Sequence, residues 1–259
     1  MLKNNKFLIS GTSSGLGKFL FQKFNSEKYN RKKEINYYFN NNYKVIIHCA
    51  FNKNISYEKD ALQLIYDNIF LVQNLINIPH KKFVLISSID VYEKDNLIHK
   101  ENEKLKIKSD SSFYSVAKII QEEIVKKNCN NYLILRPSSM LGKEMRKNTI
   151  TKILNSAKTK KNQSINLSQN STLNFVLHED IYKIIKSEIN KKSNSYNIVS
   201  SNNLIVSNIA KYFKSSISYG NHLHLTPKVS NKKIINNYNF LNKSSLENLK
   251  YFYKNNYDK

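Results

Sequence analysis

"FLISGTSSGLGKFLFQKF", residues 7–24, runs from a short apolar stretch into a glycine cluster and then into a segment with Leu16, Phe19, Leu20 and Phe24 on one helical face. Three of the five glycines in 259 residues stand here, at positions 11, 15 and 17. A strand, a glycine turn and a helix in that order is the context in which such a cluster holds phosphate. Gly11 suits the tight turn, Gly15 lets an anion approach the backbone, and Gly17 lets the helix pack closely on the strand. The helix start adds free N–H groups and the positive end of the helix dipole, and Ser13 and Ser14 add hydroxyl donors. The competing reading is a structural turn that holds no ligand.

The rest of the chain supplies a context for that loop. Apolar runs at Lys6–Ser10, Lys44–Ala50, Lys82–Ser87 and Tyr132–Arg136 alternate with helical stretches. That alternation predicts a Rossmann-like α/β fold, a doubly wound parallel sheet covered by helices. Leu62, Ile65, Ile69, Val72 and Ile76 mark one face of a long helix, and a second helix is expected over Ser112–Lys127. Beyond Gly142 a helix near Thr149–Ala157, a strand through Leu173–His178 and a helix from Glu179 to Ile189 follow. Ser244-Ser245-Leu246-Glu247 has capping-box spacing and opens a last helix. No clean domain boundary is visible in the pattern; the division expected is 1–141 as the nucleotide-binding part and 142–259 as a small region interleaved with the sheet and not cleanly separable.

Composition narrows the partners. Forty-two Lys and Arg against nineteen Asp and Glu leave a net charge of +23. Only Arg31, Arg136 and Arg146 are arginines, and the lysines are spread along the chain without a long basic block. Base and phosphate readers favour arginine's planar fork, so we expect no nucleic-acid partner. No stretch approaches about 20 consecutive apolar residues and the start lacks an apolar signal core, so the expectation is a cytoplasmic protein off the membrane. Cys49 and Cys129 each lie in or beside an apolar segment and read as buried free thiols. No cluster suggests a metal.

Two further stretches carry chemistry. In "SSFYSVAK", residues 111–118, Tyr114 and Lys118 lie four apart and so share a helix face. An ammonium beside a phenol favours the phenolate and would bring Tyr114 toward working pH as an acid and base. In "FVLISSIDVY", Ser88 ends a buried strand at the edge where α/β sheets bind ligands, placed to hold a reacting oxygen. Near the usual ribose-recognition position both Arg31 and Glu34 occur. An arginine there favours a 2′-phosphate and a carboxylate favours NAD, so both cofactors stay open, with a lean to NADP.

Taken in order, the glycine loop, "VIIHCA", "ISSIDVY", "YSVAK" and "LRPSSMLG" resemble an extended short-chain dehydrogenase/reductase of the NAD-dependent epimerase/dehydratase family, over residues 6–200 or so. The resemblance implies Tyr114 as catalytic acid/base, Lys118 as its tuner and the holder of the nicotinamide ribose, and Ser88 as the group that polarises the substrate oxygen. It implies an NAD(P) site made from Gly11, Ser13, Ser14, Gly15, Leu16, Gly17, Arg31, His48, Ala50, Tyr114, Lys118 and Pro137, a substrate cap within 142–259, and a bracing role for Asn68. It further implies an epimerase or reductase acting on a sugar, nucleotide-linked, in surface-polysaccharide synthesis, and a possible homodimer through the Tyr/Lys helix with Ile119 and Ile120 at the contact. The alternative from another class is a non-catalytic dinucleotide-binding or sensor protein.

Departures from the family pattern are informative. Only 31 positions separate Gly17 from His48, about one βαβ unit, so a strand and helix are missing from the first half and "EINYYF" is the remaining strand candidate. Ile89 stands where the family's dehydratases carry a carboxylate, which argues against water elimination. Ser139 replaces an asparagine and Leu173 an arginine that often contact a nucleotide-sugar diphosphate, leaving Lys143 or Lys147 as substitute charges.

Overall fold

Strands buried on both faces read as unbroken apolar runs, and four of them build the centre of the molecule. The structure, a computed structural model, describes residues 6–52 and 59–257. Its strands are β1 (Phe7–Ser10), β2 (Glu27–Lys28), β3 (Tyr43–His48), β4 (His80–Ile86), β5 (Tyr132–Pro137), β6 (Ser139–Leu141), β7 (Gln163–Ser164), β8 (Thr172–Leu173), β9 (Phe175–Leu177), β10 (Asn194–Ile198), β11 (Leu204–Ile205) and β12 (Ile217–Ser218). Its helices are α1 (Gly15–Phe24), α2 (Asn36–Phe39), α3 (Ala61–Ile65), α4 (Leu71–Asn77), α5 (Phe113–Asn128), α6 (Thr149–Thr159), α7 (His178–Glu188), α8 (Val206–Tyr212), α9 (Lys232–Asn237) and α10 (Ser245–Asn256). A π-helical turn, Tyr66–Phe70, joins α3 to α4.

Six parallel strands form the sheet in the order β10-β5-β4-β3-β1-β2. One face packs against α1 and α7 through Leu16, Leu20, Ile181, Ile184 and Ile185, the other against α4 and α5 through Val72, Leu75 and Val125. This is the Rossmann-like doubly wound architecture expected, with its first half shortened. The missing unit lies between β2 and β3, where the chain makes only α2. "EINYYF" is therefore not a strand: Tyr38 is its one buried residue, and the segment turns as a single helical coil. The sheet edge is instead the charged pair Glu27-Lys28, because α1 ends at Phe24 with Asn25 in the left-handed conformation (φ 44°).

The later elements make a second core of Leu141, Ile150, Ile153, Leu154, Phe175, Ile209, Leu249 and Phe252. It is interleaved with the sheet, since α7 covers one sheet face and β10 extends the sheet. The strand expected over Leu173–His178 is split into β8 and β9 at Asn174, whose side chain bonds the Ser200 and Asn202 carbonyls. The capping box at Ser244 and Glu247 is present. Residues 1–5, part of the start read as lacking a signal core, lie outside the described residues. Among the described residues no helix is long and apolar enough to cross a membrane.

Candidate functional site

A cleft of about 970 Å³ opens at the carboxyl ends of β1 and β3 and runs toward the second core. Its floor is the glycine loop. Gly11 (φ 77°) is pressed on β3, where a Cβ would come 2.6 Å from the Ala50 amide nitrogen. A Cβ on Gly17 would come 2.2 Å from the Gly11 carbonyl oxygen, so α1 lies closer to its strand than any side chain permits. Gly15 (φ 59°) has open space above it. Thr12, nine-tenths buried and lining the cleft, has a hydroxyl without a partner. A backbone cradle bare of side chains, at the start of a ten-residue helix with no acidic residue in its first turn, fits a dinucleotide diphosphate.

Gly11, Ser13, Ser14, Gly15, Leu16, Gly17, Arg31 and Ala50 all line this cleft. Four other expected cofactor residues, His48, Pro137, Tyr114 and Lys118, do not. His48 is fully buried behind the loop, with Nδ1 2.7 Å from the Ser10 hydroxyl, and Pro137 is buried at the end of β5. Strand register turns both inward, so neither lies in the trough. Glu34 is likewise away from the cleft, whereas Lys28, Arg31 and Lys32 line it. Arg31 is held by the carboxylate and carbonyl of Asp67.

Ser88, Tyr114 and Lys118 come together at the carboxyl end of β4. Ser88 caps the short helix Ile89–Val91, accepting from the Asp90 amide and donating to the Asp90 carboxylate at 3.1 Å. Tyr114 lies in the first turn of α5, near enough to Ser88 for the serine hydroxyl to favour the phenolate. Lys118 is buried one turn on, its Nζ 5.9 Å from the Tyr114 ring centre.

The electrostatics differ from the sequence-based expectation. Burial, and to a lesser degree the Asp90 charge, push the Tyr114 phenol up to about 12, against the lowering influence of the Ser88 hydroxyl. The Lys118 ammonium is not aimed at that phenol: it donates to the Ile86 carbonyl at 2.8 Å and to Gln121 Oε1 at 3.0 Å. Burial lowers Lys118 to about 8.

Phe51 explains why these three residues do not line the cleft. Its ring faces the cleft on one side and meets Tyr114 edge-on at 4.7 Å on the other, with Lys118 Nζ at 5.4 Å. Asn68, in the π-turn, fixes the backbone beside it: Asn68 Oδ1 accepts from the Asn52 amide at 2.7 Å and Nδ2 donates to the Asn52 carbonyl at 2.9 Å. Asn68 is thus the brace that was expected. Phe51 sits just past an apolar strand, outside any periodic pattern, and only its place directly after Ala50 marks it.

At the far end of the cleft Leu173 is buried among apolar neighbours and supplies no charge, and of the two substitute lysines Lys147 lines the cleft. Ile89 packs in a core with Ile119 and Val199. Cys49 and Cys129 are free, with thiols pushed up to about 12 by burial. No group of metal-ligating side chains occurs among the described residues.

His178 closes the cleft wall behind Gly142, where a Cβ would come 2.0 Å from its Nδ1. That nitrogen is buried without a partner, and burial lowers the imidazole from its usual 6.5 to about 4. The unfolded chain therefore takes up a proton near pH 6.5 that the folded chain refuses until about pH 4, and stability falls as pH drops through that window. At about 1.4 kcal/mol per unit, His178 contributes a loss on the order of 3 kcal/mol. Urea unfolding at pH 7 and pH 4.5 will show a smaller difference between the two in His178→Phe than in the parent.

A doubly wound sheet, a glycine cradle at the end of its first strand and a Ser/Tyr/Lys cluster two strands away define a dinucleotide-binding protein of the short-chain dehydrogenase/reductase type. Residues 8–199 match the NAD dependent epimerase/dehydratase family. The chain belongs to that family, whose members are NAD(P)-dependent enzymes. Among solved structures it resembles MoeE5 in complex with UDP-glucose and NAD (14% identity, TM-score 0.78, 96% of this chain and 98% of that one). It also resembles the dTDP-4-dehydrorhamnose reductase of Bacillus anthracis in complex with NADP (18%, 0.79, 97% and 99%). A third likeness is the UDP-glucuronic acid 4-epimerase of Bacillus cereus in complex with UDP-glucuronic acid and NAD (17%, 0.76, 96% and 98%). Comparison with curated proteins finds no match.

Proposed function

We propose that the protein is a cytoplasmic NAD(P)-dependent epimerase or reductase acting on a sugar, nucleotide-linked, of the kind used in surface polysaccharides. The observation that carries this reading is the meeting of Ser88, Tyr114 and Lys118 at one sheet edge beside the glycine-floored cleft. The sugar-nucleotide part rests on the substrates named for the neighbouring structures.

A bound nicotinamide nucleotide supplies the hydride acceptor or donor. Gly11, Ser13, Ser14, Gly15 and Gly17 would hold its diphosphate. The Tyr114 oxygen takes the proton from the substrate hydroxyl or returns it, and Ser88 holds that same oxygen. Lys118 fixes the end of β4 through the Ile86 carbonyl and places a positive charge one turn from the phenol. With isoleucine at position 89, dehydration lacks its second carboxylate.

The lean to NADP draws on Arg31 and Lys32, which line the cleft where Glu34 does not. Arg31→Ala should weaken NADP binding about tenfold, the scale of a charged hydrogen bond, and NAD binding far less. Equal losses, measured by calorimetric titration, would contradict the lean. The reading includes a small-molecule substrate, no nucleic-acid or membrane partner, and a homodimer. Ile119 belongs to the core and Ile120 is half-buried, but Leu62, Tyr66 and Phe70 form an exposed stripe beside α5 that a second copy would cover.

The test is incubation with UDP- and dTDP-linked sugars and 4-keto sugars. A reductase consumes NAD(P)H stoichiometrically; an epimerase interconverts sugars without net consumption. Phe51 between the cleft and Tyr114 favours a second reading, a non-catalytic dinucleotide-binding protein, which predicts cofactor binding and no turnover on any sugar.

A further inference from the structure

The anion-holding groups of the glycine loop are already engaged by another part of the chain. Residues 142–148, linking β6 to α6, reach across the cleft to the start of α1. The Gly15 amide donates to the Glu144 carbonyl at 2.5 Å. The Glu144 carboxylate pairs with Lys18 at 2.6 Å, and Arg146 Nε donates to the Ser14 hydroxyl at 2.8 Å. The ends of the segment are fixed: Gly142 is wedged against His178, and Asn148 caps α6 by a full capping box. Between them Met145, Arg146, Lys147 and Asn148 line the cleft.

A carbonyl oxygen and a carboxylate at a helix N-terminus are the electrostatic stand-ins for a phosphate. We infer that residues 142–148 are a strap that occupies the diphosphate position in the ligand-free protein, and that Arg146 is a diphosphate ligand supplied from the capping region. This rests on the cofactor reading above. A diphosphate takes the Gly15 amide from Glu144, and its charge repels the Glu144 carboxylate from Lys18. Arg146, released from Ser14, meets the incoming oxygens with a planar, permanently charged fork suited to them. The unpartnered Thr12 hydroxyl lies in the same cradle. Because Met145, Arg146, Lys147 and Asn148 of the same segment also wall the cleft, nucleotide binding reshapes the substrate mouth, and nucleotide binds first.

The test is calorimetric titration of the full chain with ADP-ribose, and with adenosine as the probe that lacks phosphate. Arg146→Ala should weaken ADP-ribose at least tenfold and leave adenosine unchanged, Arg146→Lys should recover part of the loss, and Glu144→Ala should tighten ADP-ribose severalfold. Unchanged ADP-ribose affinity in Arg146→Ala, equal loss for adenosine, or weaker binding in Glu144→Ala would each overturn the strap. Failure of the parent protein to bind ADP-ribose, NAD and NADP is a different result: it overturns the cofactor reading and the strap with it. Thermal unfolding of each variant within a degree or two of the parent separates these effects from misfolding.

Discussion

Tyr114→Phe will lower kcat by about 10³-fold and leave the affinity for NAD(P) within a factor of two. A positioned acid/base contributes roughly 10²–10⁴ in rate, and the phenol lies beside Ser88, whose hydroxyl also binds the Asp90 carboxylate. The phenylalanine ring keeps the edge-on contact with Phe51 and the packing over Lys118, so nothing that holds the nucleotide is removed. The phenol in the free protein is pushed up to about 12, so proton abstraction is weak until substrate and nucleotide change its surroundings. The expected signature in the parent is kcat rising with pH. Turnover retained in Tyr114→Phe, followed by sugar interconversion in a discontinuous assay, would remove Tyr114 from its assigned role.

Glu122→Ala will destabilise the protein by about 3–5 kcal/mol, the range seen when one partner of a buried ion pair is removed. Glu122 and Arg136 are 0% and 1% exposed. The pair is bidentate, Nε to Oε1 at 2.8 Å and Nη2 to Oε2 at 2.6 Å, and Ser87 adds a third bond to Oε1 at 2.6 Å. Arg136 also donates to the Tyr92 hydroxyl, which bonds Asn197 on β10. Without Glu122 the guanidinium remains inside the protein with no counter-charge. The melting temperature should drop by roughly 10 °C, at about 2–4 °C per kcal/mol for a chain of this size. Glu122→Met with Arg136→Met should recover much of the loss, because the double replacement leaves no buried charge. A drop of a degree or less in Glu122→Ala would show that water reaches the pair.

The sequence disclosed those features that depend on short-range pattern. β1, β3, β4 and β5 each carry an unbroken apolar run, over 7–9, 45–47, 83–86 and 132–135, because both faces are covered there, and the glycine cradle shows in residue type and spacing. β10 does not stand out as an apolar run, because Asn194 and Asn197 interrupt it and serve side-chain bonds to Tyr196, Tyr92 and the Ser230 carbonyl that only the fold reveals. The two-residue β2 is charged and shorter than any periodic signal. In the site, Tyr114 and Lys118 were legible from a four-residue interval, and their approach to Ser88 from the strand end. The engagement of Lys118 with Ile86 and Gln121 was not, nor was the screen made by Phe51. The Ile86 and Phe51 contacts join residues more than 30 positions apart in sequence, for which one chain carries no local trace, and Gln121 meets Lys118 where the ammonium is drawn inward by Ile86.

The abbreviated first half has a consequence for how the molecule keeps to itself. An outer strand with free amides and carbonyls is a template on which a foreign chain can add. Here that border is two residues long, Glu27 is tied to Lys6 at 2.5 Å and to the Tyr43 hydroxyl at 3.0 Å, and the chain then leaves the plane. Losing one strand thus gives a margin too brief and too charged to recruit neighbours, which guards against fibrous self-association.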